Sequence, residues 1–449
     1  MSSSVPVPFS DPPYLMGLPS AYYNDSHRKW QKTCRALAEE LLVPYTSEWE
    51  AAGDVPADLY SKFSEANFLI PNLSAPLPVQ WLKKLGIHEL PGGLKVEDFD
   101  YLHTLIYVDE LARSGSMGPS GAVTVGMAFG LPPILKFGSQ ALQEKFLPEL
   151  LTGKKRICIA VTEPSAGSDV ANIATTAVKT KDGKHYLVNG SKKWITNGIW
   201  SHYASMAVRT GAEGSGAAGL SMLVVPLLDT PGVTMRRIKV GGQHTSGTTF
   251  IELDDVKVPV ENLIGKEGQG MGFIMQNFNH ERLTISISVN RISRVALSDA
   301  FDYCMKREAF GKTLMEQPVV RHRLAKCGAD LEAHWAWIEQ YTYCMTKLSE
   351  ADANRELGGL TALAKAQAGR VLELVASTAV LLHGGNGYTK SGQGEVAERI
   401  FREIPGARIP GGSEDVMLDL AIRQLVKNFQ RKKKDLQTEM ERPAGSSKL

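Results

Sequence analysis

Glu281 is the residue whose placement points most directly to chemistry. On a helix, Ile274, Phe278, Glu281, Ile285 and Ser288 recur at intervals of three or four and share one stripe. A carboxylate on that face is expected among buried apolar neighbours. Burial raises its pKa toward neutrality, which suits a general base that takes a proton from a weakly acidic carbon. Arg282 follows directly and so faces elsewhere, and no ion-pair partner for Glu281 is expected on its own stripe of the helix. The competing reading is a structural salt bridge to a residue remote in sequence. Glu414 and Asp415 are rival carboxylates, but they open the last helix, where acidic residues suit the N-terminal dipole.

Three further stretches carry polar chemistry at fixed spacing. Ala160-Val-Thr-Glu-Pro-Ser-Ala-Gly-Ser-Asp169 reads as a strand entering a turn whose small residues let N–H groups and hydroxyls approach a bound polar group. By composition alone it would pass for an ordinary β-turn. In Lys193-Trp-Ile-Thr-Asn-Gly198, strand alternation places Trp194 and Thr196 on one face, although a Trp on a strand is more often core. Arg307, in Arg307-Glu-Ala-Phe-Gly-Lys-Thr-Leu-Met-Glu-Gln317, has the planar fork that binds two phosphate oxygens, but alone it reads as a solvated helix-end residue.

These residues need a scaffold, and the chain is long enough to supply one. It has 449 residues, of which 43% are hydrophobic and 22% charged, enough apolar surface for two or three domains rather than a disordered chain. Fifty basic against 48 acidic residues give a net charge of +2, which argues against a nucleic-acid partner. No metal site is expected, because five scattered cysteines without a CxxC pair suggest reduced core thiols. The longest apolar run, Gly121 to Leu135, is broken by Gly and by Pro132-Pro133, so no membrane span is expected.

Residues 1–24 read as an extended arm and 25–155 as an N-terminal α-helical domain, with Trp30, Cys34, Leu37 and Leu41 at helical spacing. Residues 156–262 turn to short β-branched runs, with a hairpin turn at Lys181-Asp182-Gly183, and so form a central β-barrel or sandwich. Helical periodicity returns over 263–432 through Met305, then Val319 to Leu348, Leu357 to His383 and Ser413 to Phe429, as in a four-helix bundle. Residues 433–449 form a tail. The Arg431-Lys-Lys-Lys434 run before it reads as solvated charge favouring a helix C-terminus. The last three residues, Ser447-Lys448-Leu449, match the address read by the peroxisomal import receptor, which gives a peroxisomal location.

The helix, strand, helix order and the motifs above resemble the acyl-CoA dehydrogenase family of flavoproteins over nearly the whole chain. Ala160 to Asp169 fills every fixed position of the family's A-x-T-E-P-x-A-G-S-D signature, which implies that Thr162 and Ser168 contact FAD. Trp194 to Asn197 resembles the W-I-T-N of the family's K-x-W-I-T-N, which places Trp194 over the isoalloxazine and the Thr196 hydroxyl near N5. The Arg307 motif resembles R-x-x-F-G-x-x-[IL]-x-x-x-Q, with Gln317 one position short of the pattern's Gln, and the resemblance implies that Arg307, Phe310 and Gln317 serve the FAD of a neighbouring protomer in a homodimer or homotetramer. His383-Gly-Gly-Asn-Gly-Tyr388 resembles the family's flavin loop and adds Gly384, Gly385 and Asn386 as cofactor contacts, although Leu381 stands where a Gln usually helps bind FAD.

In many relatives the base is a Glu directly before Gly-Thr. Placing Ile409-Pro-Gly-Gly-Ser-Glu-Asp-Val-Met417 on that segment puts Gly411 at the base position, and glycine cannot accept a proton. A minority, including the long-chain and isovaleryl-CoA dehydrogenases, carry the base on an earlier helix just before an Arg, and the long-chain type shows Gly-Gly at the vacated site. Glu281 before Arg282 and the Gly411-Gly412 pair supply both halves of that exchange.

The resemblance thus implies α,β-dehydrogenation of an acyl-CoA thioester to the trans-2-enoyl-CoA. Glu281 would take the α-proton, flavin N5 the β-hydride, and Gly411 would offer an N–H to the thioester carbonyl. Ser168, Phe278 and Arg282 would contact substrate. Two alternatives stand beside this reading: an acyl-CoA or nitroalkane oxidase using O2, which a peroxisomal location favours, and a flavin-bound scaffold without turnover, which the near-neutral charge disfavours.

Overall fold

The computed structural model describes residues 5–440, without the side chains of Asn277, Phe278, Asn279 and Glu439; Phe278 as a substrate contact and the Ser447-Lys448-Leu449 signal therefore lie outside the described residues. Eight helices build the first domain: α1 (Asp25–Leu41), α2 (Thr46–Ala52), α3 (Leu59–Glu65), α4 (Val79–Lys84), α5 (Tyr101–Leu111), α6 (Met117–Val125), α7 (Pro132–Phe137) and α8 (Gln140–Leu151), with a two-residue pairing of β1 (Glu89–Leu90) and β2 (Leu94–Lys95). On α1, Trp30, Cys34 and Ala38 recur every fourth residue and are buried, which drives the helix onto α5.

Both helix starts are capped. Asn24 Oδ1 accepts the His27 N–H at 3.2 Å, and Asp100 Oδ1 accepts those of Leu102 and His103 at 2.9 and 3.0 Å. Ring nitrogens of His27 and His103 lie 3.1 and 2.8 Å from the Asp100 carboxylate. This trio has the proximity of a metal site. Its nitrogens serve the caps, however: His27 Nδ1 accepts the Asn24 N–H at 3.1 Å and His103 Nε2 lies 3.1 Å from Ser26 Oγ.

The stretch from Met117 to Phe137 is apolar and long enough to cross a membrane by composition, but α6, a π turn and α7 break it into pieces, mostly buried in this domain.

The second domain is one eight-stranded sheet of β3 (Ile157–Ala160), β4 (Thr176–Lys179), β5 (His185–Ile195), β6 (Tyr203–Arg209), β7 (Leu220–Pro226), β8 (Val233–Arg237), β9 (Thr249–Pro259) and β10 (Leu263–Ile264). The order is β10-β7-β6-β4-β5-β9-β8, with β3 running parallel beside β6. The expected hairpin joins β4 to β5, where Gly183 takes the left-handed φ of +70° the turn requires.

The third domain is an α-bundle of α9 (Gly270–Lys306), α10 (Pro318–Lys347), α11 (Glu350–His383), α12 (Glu395–Arg408) and α13 (Glu414–Met440), with a small β11 (Glu308–Ala309) and β12 (Lys312–Thr313) hairpin after α9. Along α11, the small residues Ala362, Ala364, Ala366, Ala368 and Gly369 are buried and let neighbouring helices approach closely. α13 runs past the expected boundary at 432, so the basic run sits inside a helix and not at its end. Arg431 and Lys432 pair with Glu356 of α11 at 2.5 and 2.9 Å, so half of that run is tied down instead of solvated.

The N-terminal arm is anchored. Asp11 accepts from Arg35, Arg113 and Arg291 at 2.7, 2.9 and 3.1 Å, and Arg291 Nε also donates to buried Asp109 at 2.8 Å. This network fixes α9 against the first domain, which settles where Glu281 stands.

Candidate active site

The first two motifs meet at the edge of the sheet. The Lys193 N–H donates to the Thr162 carbonyl at 3.0 Å, which brings Thr162 beside Trp194. A buried ion pair fixes the junction: Lys192 Nζ lies 2.7 Å from Glu163 Oε1, and both side chains are almost fully enclosed. Burial pushes the lysine down to about 8 against the pull of Glu163. For Glu163, burial opposes the charge, but Lys192 and the N–H groups of Ala174 and Thr175, donating at 2.6 and 3.0 Å, outweigh it and hold the carboxyl low.

The expected alternation at Trp194 does not hold. The β5–β9 register slips between Lys192 and Ile195, Trp194 takes a φ of +60°, and Thr196 lies beyond the strand end, so a bulge and not the pleat presents the half-exposed indole. Asn197, not singled out from the sequence, secures this corner. Its Nδ2 donates to the Gly121 carbonyl at 3.0 Å and its Oδ1 accepts the Gly126 N–H at 3.2 Å, joining the sheet to the first domain.

A second group forms at the far end of α9. Arg307 and Phe310 lie on the β11–β12 hairpin, and Phe310 is 95% exposed. The loop of Gly384, Gly385 and Asn386 lies alongside, with Asn386 Nδ2 donating to the Tyr303 hydroxyl at 3.3 Å and His383 stacked on Tyr303 at 4.3 Å. Tyr388 and Leu381 are 90% and 64% exposed, so the group presents an uncovered apolar rim.

Both groups fit the expected FAD. Among the described residues the hydroxyls of Thr162, Ser168 and Thr196 have no hydrogen-bond partner, so they remain to meet a ligand. Gln317 Nε2 is buried without a partner. Gly384, at φ +60°, has open space where a side chain would stand.

The third group forms where Gly411 lies against the helix that carries Glu281. A Cβ at Gly411 would lie 2.6 Å from Ile285 Cδ1, and Ile285 follows Glu281 by one helical turn. Gly411 and Gly412 have φ of +68° and +98°, a left-handed turn that favours glycine. Among the described residues the Gly411 N–H has no hydrogen-bond partner. Glu281 and Ile285 are half-buried, whereas Arg282 is 5% exposed, which corrects the expected stripe. The reason is that α9 packs against α5, α10, α11 and α12, which enclose the face carrying Arg282 and leave Glu281 and Ile285 partly open.

Nor is Glu281 electrostatically remote from Arg282. Burial lowers the guanidinium to about 10, and the Glu281 carboxylate pulls it back up. The rival Glu414 is engaged by Arg370 and Arg408 at 2.8 and 2.7 Å, and despite some burial these arginines hold it in the charged form, while Asp415 is exposed. Lys365 of α11 was also not singled out from the sequence. It is 1% exposed, and its Nζ donates to the carbonyls of Arg408 and Gly412 at 2.8 and 2.6 Å. A lone lysine in a run of Ala and Gly was the available signal.

Comparison with known proteins shows the family. Family models described as the N-terminal, middle and C-terminal domains of acyl-CoA dehydrogenase match residues 24–154, 158–256 and 268–426. The chain is 67% identical over 430 residues to acyl-CoA dehydrogenase apdG of Emericella nidulans, covering 96% of this chain and 98% of that one. It is 29% identical over 408 residues to the mitochondrial long-chain specific acyl-CoA dehydrogenase of Mus musculus, covering 90% and 87%. Its fold matches the crystal structure of acyl-CoA dehydrogenase from Geobacillus kaustophilus with a TM-score of 0.80 and 31% identity, covering 91% and 100%.

Proposed function

The chain belongs to the acyl-CoA dehydrogenase family of oxidoreductases acting on CH–CH bonds, and from that premise we propose that it oxidises a fatty or branched acyl-CoA to the trans-2-enoyl-CoA with Glu281 as the base. The observation that carries this reading is the pairing of an open left-handed glycine turn with Ile285, one turn from Glu281, while Glu414 is engaged by two arginines. In this reading the half-buried Glu281 faces the substrate cleft, close enough to solvent to be reached.

The Gly411 N–H, without a partner in the chain, is the donor for the thioester oxygen as charge collects there. Arg282 lies next to the base, and the Glu281 carboxylate supports its charge against burial. Thr162, Ser168, Trp194, Thr196, Gln317, Arg307, Phe310 and the Gly384 to Asn386 loop would hold FAD. Bound there, FAD supplies the acceptor for the β-hydride. The exposed Phe310, Leu381 and Tyr388 rim supports a homo-oligomer in which this group reaches the cofactor of a second copy.

The test is visible absorption of the holoenzyme under anaerobic conditions as acyl-CoAs of increasing length and branching are added. Bleaching is the expected result, and the best substrate defines the chain class. Rapid return of colour on admitting air would make O2 the acceptor. Failure of every acyl-CoA to bleach the flavin would overturn the reading.

A further inference from the structure

Lys365 carries its charge to the carbonyls at the end of α12 and not to a carboxylate. Its ammonium is enclosed between α11, α12 and the start of α13, where an ion is costly unless paired. Among the described residues no carboxylate oxygen lies within ion-pair distance of its Nζ, and the nearest candidate, Glu414, is occupied by Arg370 and Arg408. Both bonds of the ammonium go to carbonyls: Arg408, at the end of α12, and Gly412, one residue past the vacated base position. The turn of Ile409, Pro410 and Gly411 is thereby gripped at both feet. Lys365 Cε would lie 3.9 Å from a Cβ at Gly411, on the same glycine whose Cβ position faces Ile285 of the Glu281 helix.

Resting on the function proposed above, we infer that Lys365 is a positioning residue for proton abstraction. By gripping the carbonyls on both sides of the 409–411 turn, it fixes the Gly411 N–H as the donor to the thioester oxygen and places a positive charge behind that donor. In the step it serves, the substrate Cα–H bond breaks, the proton passes to a Glu281 oxygen, and the electron pair moves onto the carbonyl oxygen as an enolate. A grip made through carbonyls turns both of those acceptors away from the developing negative charge, so it both orients the donor and removes two unfavourable dipoles.

Burial lowers the Lys365 ammonium to about 8. Glu414 of α13 raises it, while Arg282 of α9 and Arg408 of α12 lower it further. The charge is therefore present at neutral pH and lost in mild alkali.

The experiment uses the holoenzyme in D2O with a saturated acyl-CoA whose third carbon is replaced by sulfur. This probe has no β-hydrogen to give up, so exchange of its α-protons, read by mass spectrometry, reports abstraction alone. Lys365→Met is expected to slow exchange about 10²-fold, the scale of losing one oriented donor, with flavin content and probe affinity little changed. Wild-type exchange should fall as pH rises through about 8, and this alkaline fall should disappear in the variant. Lys365→Gln, which keeps N–H donors but no charge, should also lack the fall, and it decides the matter if the Met variant does not fold. Exchange within threefold of wild type with the alkaline fall intact would overturn the role of Lys365. Glu281→Gln, run in parallel, separates the two claims: unchanged exchange in that variant would overturn the proposed base, whatever Lys365 does.

Discussion

Adding one methyl group at Gly411 tests the geometry of the cleft directly. In Gly411→Ala the new Cβ would lie 2.6 Å from Ile285 Cδ1, roughly 1 Å inside the optimal carbon–carbon separation. Such overpacking costs about 1–3 kcal/mol. The φ of +68° adds about 1–2 kcal/mol for an L-residue held in the left-handed region. The turn is short and lies at the cleft, so it should yield before the helix does, carrying the N–H away from the thioester oxygen. Loss of one such donor corresponds to about 10²–10³-fold in the rate of α-proton exchange, while the melting temperature falls by only a few degrees.

Ile285→Val removes the offending Cδ1 at a cost of its own of about 0.5–1.5 kcal/mol. The double variant should then recover the overpacking share of the loss but not the φ share, giving a coupling of about 1–3 kcal/mol between the two sites. The assays are α-proton exchange and thermal unfolding of all four proteins. Additive effects, or a Gly411→Ala protein with wild-type exchange, would show that the turn does not abut α9 as described.

Two further outcomes follow from buried charges. Lys192→Met leaves Glu163 enclosed without its cation and should cost about 3–5 kcal/mol in urea unfolding, with FAD shed first because the Thr162 loop is released; a stable protein that keeps its flavin would contradict the role of this pair. Glu403 is fully enclosed, and burial, reinforced by nearby Glu50, raises its carboxyl from 4.5 to about 7. A folded-state pKa above the unfolded one makes stability fall as pH rises between those values, so Glu403→Gln should gain up to about 3 kcal/mol at pH 8 and flatten the stability profile from pH 5 to 7. An unchanged slope would contradict this.

Much of the architecture was legible because burial writes periodicity into sequence. The β-branched runs of 156–262 are strands, and the α1 spacing of Trp30 and Cys34 marks the face it buries. What escaped the periodicity was set by tertiary contacts. Trp194 is presented by a bulge that strand alternation does not foresee. Arg431 and Lys432 look like solvated charge until α11 brings Glu356 beside them. Arg282 was placed off the buried stripe of its helix, yet the helices packed around α9 enclose it and leave Glu281 partly open. Among the site residues, Gly411-Gly412 and Glu281-Arg282 stood out in the sequence as a matched pair of features, and the structure sets Gly411 against the helix of Glu281. The grip of Lys365 on the turn between them depends on α11 and α12 meeting, which no local pattern encodes.

The central claim is that Glu281 takes the α-proton. It is tested most directly by single-turnover flavin reduction in Glu281→Gln, mixed anaerobically with the acyl-CoA that bleaches the wild type best. A carboxamide of nearly the same shape that cannot accept the proton should leave FAD bound and reduction slowed by at least about 10³-fold. Reduction at a rate near that of the wild type would contradict it and send the search for a base elsewhere in the cleft.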